Sequence, residues 1–223
     1  MCWSATADLV AGAGISAVGA ACVAQVRDLR RLPLAALPLL LGAHQLTEAA
    51  VWHAGGGSGP AVVAWAVVAL PLLALWVPAA VLCAVPGRAR PVLLLPLAAG
   101  VVTAAVLACR IATGPVTAEI RGHTVGYVFA LPHAALLTAG YLFATAGSLL
   151  LSGERPLVVL GVLAAVGAAV CWALWRLEFV STWCAVAALC SVVLLGRART
   201  VRRSAPRPRS AGGPPRRRSA GGA

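Results

Sequence analysis

The chain has 223 residues, of which 61% are hydrophobic and only 11% charged, yet its formal net charge is +12. Soluble domains carry about 25% charged residues, so this composition excludes an ordinary water-soluble globule and calls for lipid as the surrounding medium. Every basic residue is an arginine; nine of the 18 fall in residues 197–223 with no acid among them, and the rest of the chain sits at only +3, so the basicity belongs to the tail and argues weakly for nucleic acid.

Met1 to Asp8 hold an acid and no base, unlike the n-region of a cleavable signal. The first apolar segment runs over 6–26. Ser4 is placed to cap it, and Asp8 in its early turns complements the helix dipole. Gly12, Ser16 and Ala20 put small residues every four positions, a pattern that lets helices approach closely.

The second segment, 34–54, is the most informative. His44, Glu48 and Trp52 recur every four residues, with Gln45 on the flank, forming one polar stripe on an otherwise apolar helix. Glu48 lies six residues, or about 9 Å, inward from the helix end at 1.5 Å per residue. Ionisable groups at such depth are costly; they face the bundle interior and take a partner or a function.

Further apolar segments are predicted over 61–85, 91–109, 126–150, 157–176 and 180–196, each long enough to cross ~30 Å of hydrocarbon. Pro71 and Pro78 kink the third. Residues 110–125 form a longer loop, and the glycines at 55–57 a turn. Gly161, Ala165 and Ala169 repeat the small-residue spacing in the sixth segment. The seven cysteines contain no Cys-x-x-Cys pair. Cys2 and Cys184 fall at the same ends of the first and last segments, where a disulfide is one option. The tryptophans near segment ends, Trp52 and Trp65 among them, suit interfacial anchoring.

The expected fold is therefore all-α: a polytopic bundle of about seven transmembrane helices over residues 1–196, followed by a disordered Arg/Pro/Ser/Gly-rich tail, 197–223. The first, third and fifth connections and the tail hold fifteen arginines, against three in the other connections. By the positive-inside rule the N-terminus is outside and the C-terminus cytoplasmic, where anionic lipid headgroups are the expected partner of the tail.

With that topology, His44, His53, His123 and His133, and the acids Asp8, Glu48, Glu119 and Glu178, all fall in the outer half. The leading functional expectation is a small-ligand or proton site for binding, sensing or transport. His44 and Glu48 stand at its centre, with Asp8, Gln45, His133 and Glu178 as contributors. One alternative is a membrane-embedded metal-dependent hydrolase, with His44, Glu48 and His133 as ligands of a metal such as zinc, although no His-Glu-x-x-His is present. Another is a structural or assembly subunit without chemistry, with His44 and Glu48 bracing helices. No catalytic motif stands out, and the balance favours a non-enzyme.

The opening Met1-Cys2-Trp3-Ser4-Ala5-Thr6-Ala7-Asp8, then Ala11-Gly12, Leu32-Pro33, Leu37-Pro38-Leu39-Leu40, His44-Gln45 with Glu48 and Trp52, Tyr141 with Ala144-Thr145, and Trp183-Cys184 carry a resemblance. They resemble a family of uncharacterised bacterial membrane proteins that begin Met-Cys-Phe-Ser-Ala and are grouped as a domain of unknown function; this chain has Trp3 where Phe is usual. The resemblance covers about residues 1–195. It implies a multi-pass protein of the bacterial cytoplasmic membrane, with no activity to transfer. The chain also looks faintly like seven-helix membrane hydrolases with metal-binding histidines, but lacks their pair of histidines four apart near the last helix.

Overall fold

The computed structural model describes residues 4–85, 87, 90–174, 186 and 191–197. Cys2, Cys184, Glu178 and all of the tail beyond Arg197 lie outside the described residues, and with them the proposed thiol pair.

The described chain is mostly helical. Helix α1 is Ala5–Val23, α2 is Leu29–His53 and α3 is Pro60–Ala84. Next come α4, Arg90–Thr113, α5, Ala134–Leu150, and α6, Arg155–Leu174. All but α5 are long and apolar enough to cross a membrane. A further helical segment occupies 191–197.

The outward faces of these helices are apolar. Leu94, Leu95, Val101 and Val102 on α4, and Val159, Val162, Val166 and Val170 on α6, are exposed. A continuous aliphatic coat of that kind marks a surface that meets something other than water.

The small-residue stripe on α1 does what its spacing predicts. A side chain at Gly42 of α2 would collide with Ser16 and with the Gly12 carbonyl, and one at Gly12 or Gly19 would collide with Leu46 or Leu39. The backbones of α1 and α2 are thus held in close contact, and α1 packs chiefly on α2. Gly161 likewise lets α6 sit against Leu149 and Leu150.

The proline kink in α3 takes the form of a π-helical stretch, Val68–Leu72, around Pro71. Pro71 has no N–H to donate and its ring displaces the carbonyl four residues before it. Leu73 N–H donates to Val68 and Leu70 rather than to Ala69. The bypassed Ala69 carbonyl accepts the Tyr141 hydroxyl at 2.5 Å, which ties α5 to α3 in the core. Helix α5 carries its own π stretch, Phe143–Gly147, directly after Tyr141.

The all-α expectation needs one correction. Residues 117–128 form an antiparallel hairpin of β1, Thr117–Arg121, and β2, Thr124–Val128. The predicted fifth span, 126–150, accordingly starts late: residues 126–128 are strand, and α5 begins at Ala134. Its sequence explains it: Ile120, Thr117, Thr124, Val125, Tyr127 and Val128 are β-branched or aromatic. The pair Arg121↔Thr124 leaves a two-residue turn with Gly122 at φ 61°, as a type II′ turn requires.

The hairpin is fastened to the bundle. Gly57 and Ala118 exchange two backbone hydrogen bonds, each 2.8 Å. Gly55, Gly56 and Gly57 have φ of 74°, 77° and 77°, a left-handed path that glycine alone follows without strain, and a side chain at Gly56 would strike the Ala118 carbonyl. Val116, Ala118 and Val125 are buried against the end of the bundle.

Candidate functional site

The site lies along α2, between its contacts with α1 and with α3, and the hairpin lies over its α3 side. Ser4 caps α1, accepting from Ala7 N–H at 3.2 Å, and this places Asp8 one turn further in, facing α2. Trp52 Nε1 donates to Asp8 Oδ2 at 2.9 Å. Asp8 lies close enough to Glu48 for their charges to interact. One turn deeper on the same stripe is His44, whose ring centroid is 5.1 Å from that of Trp65 on α3. Trp65 stacks in turn on Tyr127 of the hairpin, with centroids 3.3 Å apart and planes 5° from parallel. Two linked sets of groups thus lie one helical turn apart on the α2 stripe: Asp8 with Trp52 and Glu48, and His44 with Trp65 and Tyr127.

Tyr127 and Trp52 are half-buried, and the other groups are fully buried. Asp8, His44 and Glu48 are 0% exposed, Gln45 1% and Trp65 0%. Among the described residues, neither ring nitrogen of His44, neither amide atom of Gln45, Asp8 Oδ1, nor Trp65 Nε1 has a hydrogen-bond partner. Buried polar atoms are nearly always bonded, because an unmet donor or acceptor costs about 1–3 kcal/mol. Asp8, His44, Gln45 and Trp65 depart from that rule together.

Four of the residues named from sequence, Asp8, His44, Gln45 and Glu48, are thus buried in one region. His133 is not: it is exposed, sits in a left-handed conformation at φ 50° and immediately precedes α5. The expected metal set of His44, Glu48 and His133 is not assembled, and no group of three His, Cys, Asp or Glu suited to a metal occurs among the described residues. Glu119 pairs with Arg121 on the exposed hairpin, and His123 and His53 are exposed.

Trp65 and Tyr127 were not legible as site residues. Trp65 reads as an interfacial anchor and is instead fully buried. Tyr127 falls at the start of an expected span. The missing signal was the two-residue turn Gly122-His123 between β-branched runs.

A family-wide sequence profile matches residues 1–211. The chain belongs to a family of unknown function, DUF6629. The match extends past the last described helix into the tail, further than the 1–195 over which the resemblance is read. Membership in DUF6629 carries no activity or ligand. No curated protein and no solved structure matches the chain.

Proposed function

We propose that this DUF6629 protein is a multi-pass protein of the bacterial cytoplasmic membrane that binds a proton or small ligand in a buried polar pocket, for sensing or transport. The pocket is centred on His44 and Glu48, with Asp8 and Gln45 beside them. Seven spans, an outside N-terminus and a cytoplasmic arginine-rich tail set against anionic headgroups complete the reading. They put the hairpin and the pocket on the outer side. A reporter fused to the C-terminus is expected to be active only in the cytoplasm; activity on the outer face would invert the pocket and end this topology.

The observation that carries the functional reading is the complete burial of Asp8, His44, Gln45 and Glu48, with polar atoms of Asp8, His44 and Gln45 unbonded. Ionisable residues within a bundle at that depth mark sites of proton or solute handling. A second reading has one observation in its favour. The Trp52–Asp8 hydrogen bond joins α2 to α1 and supports a purely structural brace.

Glu48→Gln separates the two, since it keeps the shape and removes the titration. The full chain in lipid nanodiscs is expected to show a pH-dependent change in tryptophan emission, with Trp52 and Trp65 as its reporters. In Glu48→Gln that response should vanish while the melting temperature is held. A large fall in melting temperature with the pH response intact would establish the brace instead.

A further inference from the structure

The arginine-rich end of the bundle holds a cavity of its own. Its volume is about 450 Å3, within the ~300–1,000 Å3 of small-molecule sites. Three parts of the chain wall it: Asp28, Arg30 and Arg31 at the start of α2, Cys83 and Val85 at the end of α3, and Glu154 in the turn between α5 and α6. Two contacts fix these walls. Trp76 Nε1 donates to the Pro33 carbonyl at 3.0 Å, holding α3 to the first turns of α2. Arg197 Nε donates to Glu154 Oε2 at 2.8 Å, holding the helical segment 191–197 to the turn.

The charges around the cavity do not cancel. Arg31 lies 3.9 Å from Asp28. Glu154 is taken by Arg197 through two nitrogens, and Arg197 is nearly buried in doing so. Each carboxylate thus has its arginine. Among the described residues, Arg30 bonds only through its backbone N–H, to Asp28, and its guanidinium meets no acid. One cation is left unspent. A cationic occupant finds no free carboxylate and is repelled by Arg30. A zwitterion must compete with arginine for Asp28 or Glu154. An anion competes with nothing, and the oxygens of a phosphate match the fork of a guanidinium.

The position of the cavity says where such a phosphate comes from. In a membrane crossed by α1, α2, α3 and α6, this end lies at the headgroup layer. Leu29, between Asp28 and Arg30, is 81% exposed. An aliphatic side chain held open among charges suits the boundary where acyl chains meet headgroups. Basic pockets between membrane helices take the phosphate-bearing headgroups of anionic lipids. The buried Val85 gives this one an apolar wall as well.

We propose that this cavity binds the phosphate of an anionic phospholipid headgroup, with Arg30 as the residue that holds it. The site is separate from the His44–Glu48 pocket, at the other end of the bundle, and stands or falls apart from it. It also differs from the contact between the tail and headgroups. A spread of arginines attracts any anionic surface, whereas a walled cavity with one free guanidinium retains a single lipid.

Cys83 supplies the test, because it is an exposed free thiol on the cavity wall and its alkylation reports occupancy. The full chain in nanodiscs is treated with N-ethylmaleimide, and modification of Cys83 is followed by peptide mass spectrometry. The discs hold phosphatidylcholine alone, phosphatidylcholine with rising phosphatidylglycerol, or phosphatidylcholine with phosphatidylethanolamine. Inorganic phosphate is added to the first of these in a separate series. Phosphatidylglycerol is expected to slow Cys83 alkylation several-fold and to saturate. Arg30→Gln should lose most of that slowing and Arg30→Lys should keep part. Arg217→Gln, which takes the same charge from the tail, should keep all of it. Arg30 is exposed and bonds only through its backbone, so its variants are expected to fold; if they do not, the lipid series on the wild type still decides. Equal slowing in wild type and Arg30→Gln would reduce the effect to surface charge and overturn the site. No slowing, or the same slowing with phosphatidylethanolamine, would overturn it too. Slowing by inorganic phosphate, with nothing added by phosphatidylglycerol, would assign a soluble phosphate and overturn the lipid. None of these outcomes touches the pH response expected of Glu48.

Discussion

The two ends of the bundle use the same residue types in opposite ways. At the arginine-rich end, Asp28 caps the first turn of α2, accepting from Arg30 N–H at 3.1 Å, and lies 3.9 Å from Arg31. Glu154 there binds Arg197 through two nitrogens, Nε at 2.8 Å and Nη2 at 2.5 Å. These acids retain solvent and take arginine partners. At the hairpin end, Asp8 and Glu48 are fully buried and share their surroundings with histidine, glutamine and aromatic rings. Arginines near that end bond elsewhere: Arg110 to the Ala130 carbonyl and Arg121 to Glu119. A solvated ion pair costs little and contributes little, so it serves to orient and tether. A buried carboxylate is costly, and it persists where its environment is put to use.

The largest test of this contrast is steric. Gly42→Leu forces a side chain into Ser16 and the Gly12 carbonyl, at the α1–α2 contact that sets Asp8 against Trp52. Overpacking of this kind costs about 1–3 kcal/mol or more. The same change at Gly87, at the arginine-rich end, meets open space. Thermal unfolding in nanodiscs should therefore separate the two variants by many degrees, with Gly87→Leu near wild type. Equal melting temperatures would mean that the close helix contact does not hold the pocket together.

Gly56→Ala is the next largest. Its methyl would meet the Ala118 carbonyl, and its φ of 77° lies where alanine is strained by about 1–2 kcal/mol. The helices are untouched, so global melting should move by a few degrees at most. The Ala118 amide, now bonded to the Gly57 carbonyl, should lose much of its protection from hydrogen exchange. Unchanged protection would show that the hairpin is held by Trp65 and Tyr127 rather than by the glycine loop.

These variants also mark how far the sequence could be read. Hydrophobic run length located α1 to α4 and α6 within a few residues, because crossing hydrocarbon imposes one length and one chemistry on each helix. The stripe on α2 was legible because a period of 3.6 puts His44, Glu48 and Trp52 on one side. Asp8 reads from sequence either as a partner of the α1 dipole or as a member of the polar cluster; it sits in the first turns of α1 and accepts from Trp52. What was not legible depends on contacts distant in sequence. Nothing local says that Trp65 turns inward, that residues 117–128 fold back over it, or that a tyrosine 62 positions later stacks on its ring. Membrane periodicity gives faces of helices; it does not say which loop covers them.

The smallest effect gives the finest comparison, a pair of double-mutant cycles, one at each end. In the first, Asp8→Asn and Trp52→Phe are measured singly and together; in the second, Glu154→Gln and Arg197→Gln. An interhelical hydrogen bond within a bilayer averages about 0.6 kcal/mol and reaches about 1.7. A partly exposed ion pair is worth about 1 kcal/mol or less. The two couplings are thus expected to be similar in size, and magnitude alone cannot tell the ends apart. Salt can. The Glu154–Arg197 pair, with the Glu154 side chain 28% exposed, should lose most of its coupling as the Debye length contracts from about 10 Å at 0.1 M to about 3 Å at 1 M. The Asp8–Trp52 coupling joins a fully buried carboxylate to a half-buried indole and should change much less over the same range. A salt-sensitive Asp8–Trp52 coupling would mean that ions and water reach the pocket freely, and the distinction between a tethering end and a sealed end would collapse into one solvated surface.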